Sequence, residues 1–155
     1  MKEESVWEYP RPPRLEACSK KIEIIFGDTI AITHHSYRIL ETSHPPTFYI
    51  PRETFEADLL IPKTEKTICE WKGEAEYFDI KSTDGRISKN AAWSYNSPSI
   101  DFIQIKSYVA IYPNAVDKCL VNNETVKSQD GNFYGGWITS DIVGPFKGGI
   151  GTFGW

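Results

Sequence analysis

An all-β fold of short antiparallel strands, with at most one or two short helices, is what this sequence predicts. Apolar residues alternate along short runs, the period of a half-buried strand. Turn signals built from Gly, Pro, Asn and Asp recur roughly every eight to twelve residues. Tyr, Phe and Trp make up 14% of the chain, a content suited to pleated surfaces or an aromatic-lined cavity.

The elements follow in order. Residues 1–20 read as a proline-rich arm, because Pro10, Pro12 and Pro13 around Arg11 favour an extended chain over a helix. Trp7 and Tyr9 would be wasted on a free tail, so the arm is expected to pack on the domain. In KIEIIF, Ile22, Ile24 and Phe26 form one alternating set, and Gly27-Asp28 turns the chain back into TIAI. Residues 37–40, 47–50, 66–69 and 75–80 are further short strands, punctuated by Pro62 and Asp84-Gly85. Pro98 opens a turn or two of helix carrying Ile100, Phe102 and Ile103. Residues 107–112 form a strand closed by Pro113, and the whole pattern suits a barrel-like or sandwich-like domain. Eight of the eleven glycines and six aromatics fall in residues 131–155. Trp137, Phe146, Phe153 and Trp155 there predict an irregular flap anchored by rings, its glycines allowing positive φ or close packing.

At 155 residues the chain is expected to form one domain, 1–155. A net charge of −4 argues against a nucleic-acid partner, which needs a dense basic face. No apolar run approaches the roughly 18 residues that span a membrane, and MKEESVWEYP lacks a leader's apolar stretch, so the cytoplasm is the expected location. Cys18, Cys69 and Cys119 are widely spaced, with no Cys-x-x-Cys pair, and read as reduced, partly buried thiols. His34 and His35 are adjacent on an expected strand and would face opposite ways, which makes joint metal ligation unfavourable. The sequence has no phosphate loop, dinucleotide fingerprint or Gly-x-Ser-x-Gly elbow, and no metal or cofactor is expected.

Candidate chemistry gathers in three segments. In ETSHPP, Glu41 and His44 stand three apart, and Pro45 holds His44 in extended geometry on a stiff turn where the two could share a proton. The bland alternative has Glu41 accepting turn N–H groups and His44 merely packing. Lys72 lies beside Trp71 and ahead of Tyr77 at a strand-edge turn, and Trp93 and Tyr95 share one strand face. Lysine, asparagine and hydroxylated or indole rings are what a pocket for a small polar or anionic molecule uses.

LETSHPPTFYIPRE, ADLL, CEWKGEAEYF, NAAWSY and YVAIYP, in that order, resemble the successive motifs of the family called domain of unknown function 427 (DUF427). VWEYPRPPRLE and the long glycine–aromatic end resemble its longer form, typical of cyanobacteria and some photosynthetic eukaryotes. The resemblance implies a β-tent-like, Mss4-like fold. Relatives of that fold often bind zinc through paired Cys-x-x-Cys motifs, which this chain lacks, so zinc does not carry over. It further implies that Glu41, His44, Tyr49, Asp58, Lys72, Asn90, Trp93 and Tyr95 occupy matching polar and aromatic positions lining one cleft. The family's nucleotidyltransferase-like label does not extend to this chain, which has no Asp-x-Asp or Gly-Ser dipeptide.

Two functional expectations result. In one, Glu41 or His44 moves a proton, Lys72 holds or polarises an anionic or carbonyl group, and Tyr49, Trp93 and Tyr95 form the walls beneath a C-terminal lid. In the other, the arm and tail make a non-catalytic interaction module. Either accommodates a monomer or a homodimer.

Overall fold

Alternating side chains with both faces buried produce the central feature, an antiparallel sheet covered on each side. A computed structural model describes residues 3–69, 72–130, 135–149, 151–152 and 154–155, with only the backbone of Glu65 and Cys69. Trp71, Phe133, Tyr134 and Phe153, singled out in the sequence or belonging to its flap, lie outside the described residues.

The first eight strands are β1 (Glu4–Ser5), β2 (Arg14–Cys18), β3 (Ile22–Phe26), β4 (Asp28–Thr33), β5 (Ser36–Leu40), β6 (Thr47–Ile50), β7 (Leu60–Cys69) and β8 (Gly73–Lys81). They are followed by β9 (Ile87–Tyr95), β10 (Val109–Ile111), β11 (Lys118–Val121), β12 (Glu124–Thr125), β13 (Lys127–Ser128), β14 (Trp137–Ile138) and β15 (Ile142–Val143). Helical structure among the described residues is confined to short 3₁₀ segments, the longest Ile100–Ile105. The fold is therefore all-β.

Seven strands pair in the order β2-β5-β6-β10-β9-β8-β7, and four in the order β12-β11-β3-β4. Ile22, Ile24 and Phe26 of β3 are buried, and Gly27 makes the tight turn into β4 with φ +80°. A Cβ on Gly27 would stand 2.5 Å from Thr83 Oγ1, so the position needs glycine for space as well as for φ.

The core lies between the sheets. Phe48 and Ile50 of β6, Phe78 and Ile80 of β8, and Val109 and Ile111 of β10 pack with Ile22, Ile24, Cys119 and Val121. Each such side chain taken wholly from water contributes roughly 1.5–3 kcal/mol before entropy is charged against it. The alternate residues Tyr49, Trp93, Tyr95 and Ala110 point to the opposite face, where Ile39, Ala75, Phe102 and Ile105 join them in a second cluster.

Several local expectations are corrected. Pro62 does not end a strand but lies within β7, where the register shifts between Pro62 and Lys66. β7 is the outer strand of its sheet, the place where a residue without N–H is tolerated. His34 and His35 sit in the turn between β4 and β5, so strand alternation does not govern them. The late strand is trimmed to β10, because Ser107 takes φ +64° and Tyr108 N–H closes a turn onto Ile105 C=O.

The N-terminal segment is stitched to the sheet along its length. β2 pairs with β5, and the buried Arg38 guanidinium bonds both Glu4 and Glu16. β1 runs parallel to β15, bringing the two ends of the described chain together. No helix among the described residues is long and apolar enough to cross a membrane.

Candidate functional site

Strand register builds the floor of the site. Tyr37 pairs with Tyr49, Tyr49 with Ala110, Ala110 with Trp93, and Trp93 with Tyr77, a single row across β5, β6, β10, β9 and β8. Ala110 is the small member between two large ones. Over it the Trp93 indole N–H donates to the Tyr49 hydroxyl at 3.2 Å, with ring centroids 6.3 Å apart and planes near perpendicular at 89°. Tyr112 lies against Trp93 at 4.6 Å, and Tyr95 against Tyr49 at 6.2 Å.

A cavity of about 410 Å³ opens over this floor. That lies within the roughly 300–1,000 Å³ of small-molecule sites. The aromatic wall comprises Tyr49, Tyr77, Trp93, Tyr95 and Tyr112, and the polar rim Glu41, His44, Lys72, Gln129 and Lys147.

The 41–47 loop carries the rim's acid and base. His44 N–H closes a turn onto Glu41 C=O at 3.0 Å, while Ser43 between them takes φ +71°. This turn brings His44 Nε2 to 3.7 Å from Glu41 Oε2, both side chains mostly buried. Burial is the main influence on the imidazole and pushes its pKa below the ordinary value. Glu41 opposes that shift, and the positive charges of Lys147, Arg11 and Lys72 reinforce it. At neutral pH this favours the uncharged imidazole. Burial likewise raises the Tyr112 hydroxyl to about 12, helped by Tyr77.

The roof comes from the C-terminal segment. Gln129 contacts His44 Nδ1 at 3.4 Å and is itself held by the Lys147 carbonyl and the Gly136 amide. Gly135 and Gly136 lie so close to Trp93 and Pro45 that neither position has room for a side chain.

Six of the eight residues singled out in the sequence, Glu41, His44, Tyr49, Lys72, Trp93 and Tyr95, line this one cavity. Asp58 and Asn90 do not. Asp58 is exposed in the 3₁₀ turn Ala57–Leu59, and Asn90 is exposed on β9 at φ +52°, its N–H bonded to Asp79 Oδ1. Sequence reasoning missed Tyr112, Gln129, Gly135 and Lys147 as lining residues. Tyr112 was within reach, since YVAIYP was recognised as a motif. Gln129 and Lys147 stand in polar and glycine-rich runs that carry no such signal.

Among the described residues no group of three or more His, Cys, Asp or Glu side chains could hold a metal ion. The three tryptophans of the arm and tail divide: Trp137 is wholly buried, Trp155 partly, and Trp7 is 43% exposed.

Comparison with known families matches residues 14–122, more than half of the chain, to one described as a domain of unknown function (DUF427). A search of curated proteins found no match.

Proposed function

The chain belongs to the DUF427 family, a membership that assigns no activity, and we propose that its aromatic cavity binds a small polar or anionic molecule. In this reading Glu41 and His44 exchange protons with that molecule. The observation that carries this reading is the composition of this cavity: five aromatic side chains as its wall, and Lys72 and Lys147 beside Glu41 and His44 on its rim. Rings supply area at low entropic cost, and two ammonium groups supply the attraction for an anion. Net negative charge elsewhere on the chain makes those lysines a local feature rather than part of a basic surface.

The test is a thermal-shift screen of carboxylates, nucleotides and sugar phosphates against the wild type and Lys72→Ala. A ligand at about a hundred times its dissociation constant adds roughly 2.7 kcal/mol, a rise of roughly 5–10 °C for a chain of this size. A hit weakened in Lys72→Ala supports the site, and no shift from any compound counts against it.

A second reading, a non-catalytic interaction module, draws on Trp7, Ile68 and Ile100, which are exposed by 43%, 82% and 81%. Large exposed apolar side chains of this kind serve as anchors at interfaces. Retention of a partner by the wild type and its loss in Trp7→Ala, with the cavity lysines intact, would favour that reading. Under either reading the chain acts as one domain in the cytoplasm, as a monomer or homodimer.

A further inference from the structure

We infer that Gln129 fixes His44 in the tautomer protonated at Nε2, which makes His44 Nε2 a hydrogen-bond donor beside the acceptor Glu41. Gln129 Oε1 faces the Gly136 N–H at 3.1 Å, and a backbone N–H can only donate. Gln129 Nε2 faces the Lys147 carbonyl at 2.6 Å, and a carbonyl can only accept. Turning the amide over would set donor against donor and acceptor against acceptor, at a residue 3% exposed where water cannot compensate. Two backbone groups of fixed character therefore settle which end of the side chain is nitrogen.

That nitrogen has a second hydrogen, and it faces His44 Nδ1 at 3.4 Å. Nδ1 must then accept. In a neutral imidazole one nitrogen accepts and the other carries the proton, so the proton sits on Nε2. Protonating Nδ1 as well would bring its N–H against the Gln129 N–H. The charged groups around the ring act on the same balance: Lys147, Arg11 and Lys72 disfavour imidazolium and Glu41 favours it.

The functional assignment rests on the ligand-site reading above; the tautomer does not. A neutral imidazole holding its proton on Nε2 is a poor base at that atom and a good donor, the use a neutral histidine has where it polarises a carbonyl. The Nε2–Oε2 separation of 3.7 Å is too long for a hydrogen bond between the two side chains. On the ligand-site reading, a carbonyl or carboxylate oxygen suits His44 Nε2 and a hydroxyl or amide hydrogen suits Glu41. Gln129 is a positioning residue, acting on the ligand through His44.

Long-range 1H–15N spectra of the full chain labelled at its three histidines test this without any ligand. His44 is assigned by the signal that disappears in His44→Gln. The expected wild-type spectrum near neutral pH shows Nε2 in the protonated range and Nδ1 in the unprotonated range. In Gln129→Glu a carboxylate oxygen replaces the donor, and the Nδ1 resonance is expected to move into the protonated range. A wild-type His44 protonated at Nδ1 or fully charged overturns the inference, as does a folded Gln129→Glu with an unchanged tautomer. Should Gln129→Glu fail to fold, the wild-type spectrum alone decides. A failed thermal-shift screen would remove the ligand site and leave the tautomer standing, so the two failures are distinguishable.

Discussion

Gly135 rests against the Cη2 edge of Trp93 so closely that a Cβ placed on it would lie 2.2 Å from that atom. The contact links the C-terminal segment to the row of rings that forms the cavity floor. Trp93 has little room to retreat, since Tyr112 lies against it at 4.6 Å with the ring planes tilted by 46°, and the indole N–H is engaged by Tyr49.

Gly135→Ala is therefore expected to displace the indole or lift the segment, costing about 1–3 kcal/mol as an overpacked core site does. Urea denaturation reads the cost, and tryptophan fluorescence reads the moved ring. Gly154→Ala is the control, because among the described residues, its chain neighbours aside, nothing lies within 4 Å of the added methyl. A change within about 0.5 kcal/mol is expected there. Equal losses in the two variants would mean that the Trp93 contact is not what glycine serves.

The second prediction concerns acid. Burial raises the Glu4 carboxyl, but hydrogen bonds from Tyr9 and Arg38 outweigh it and hold the pKa below the usual 4.5. Asp141 behaves alike, with burial opposed and overcome by Thr139 and Lys20. A carboxylate whose folded pKa is depressed contributes stability above its unfolded value and loses it as pH falls through the folded one. Glu4 and Asp141 are expected to keep their contribution down to about pH 4.5 and to lose it below, while the depressed His44 pKa makes stability begin to decline as pH falls below 6.5, its ordinary value. Arg38→Met should cost about 1–3 kcal/mol at neutral pH, since Glu4 and Glu16 remain partly hydrated, and should shallow the acid slope. Denaturation curves at stepped pH check both, and an unchanged slope in Arg38→Met would count against Arg38 as the group that holds Glu4 ionised.

The sequence made the aromatic floor legible only where its pattern is local. Trp93 and Tyr95 share a face by alternation within one strand, and β9 places both in the second cluster. Tyr49 meeting Trp93 depends on β10 inserting between β6 and β9, a pairing between segments some sixty residues apart in sequence. No local period encodes that. Asn90 belongs to the same motif as Trp93 yet sits where β8 and β9 lose register, its positive φ being one that asparagine tolerates. Gln129 was invisible for a different reason: its importance lies in which backbone groups surround it, and a polar residue before Asp130-Gly131 reads as an ordinary turn.

The cysteines provide a third prediction. Cys119 is 1% exposed in the inner core, and burial pushes its thiol far above the ordinary value. Thiolate is the reactive form, so Cys119 should resist maleimide in the native state and label fully in denaturant. Cys18, half-buried on β2, should label without denaturant. Peptide mass spectrometry separates the sites. Labelling of native Cys119 at the Cys18 rate would show that the core opens readily around β11.

The last prediction follows the backbone of Ser43. Its N–H donates to Val6 C=O at 3.0 Å, and its carbonyl accepts Lys147 N–H at 2.8 Å. The loop carrying Glu41 and His44 is thus a rung between the N-terminal arm and the C-terminal segment. Arg11 clamps the same junction, donating to the main-chain oxygens of Thr42 and Trp155, both at 3.0 Å. These bonds are exposed, so Arg11→Ala should lower global stability by no more than about 1 kcal/mol. The local effect should be larger in proportion, because the rung opens as a unit when its clamp is gone. Hydrogen exchange at the Ser43 and Lys147 amides is expected to quicken by up to about fivefold, the factor that roughly 1 kcal/mol gives. Amides in β9 should keep their wild-type rates. Uniform acceleration across the chain would mean that Arg11 acts on overall stability, and unchanged rates at Ser43 and Lys147 would mean that the arm does not hold the loop.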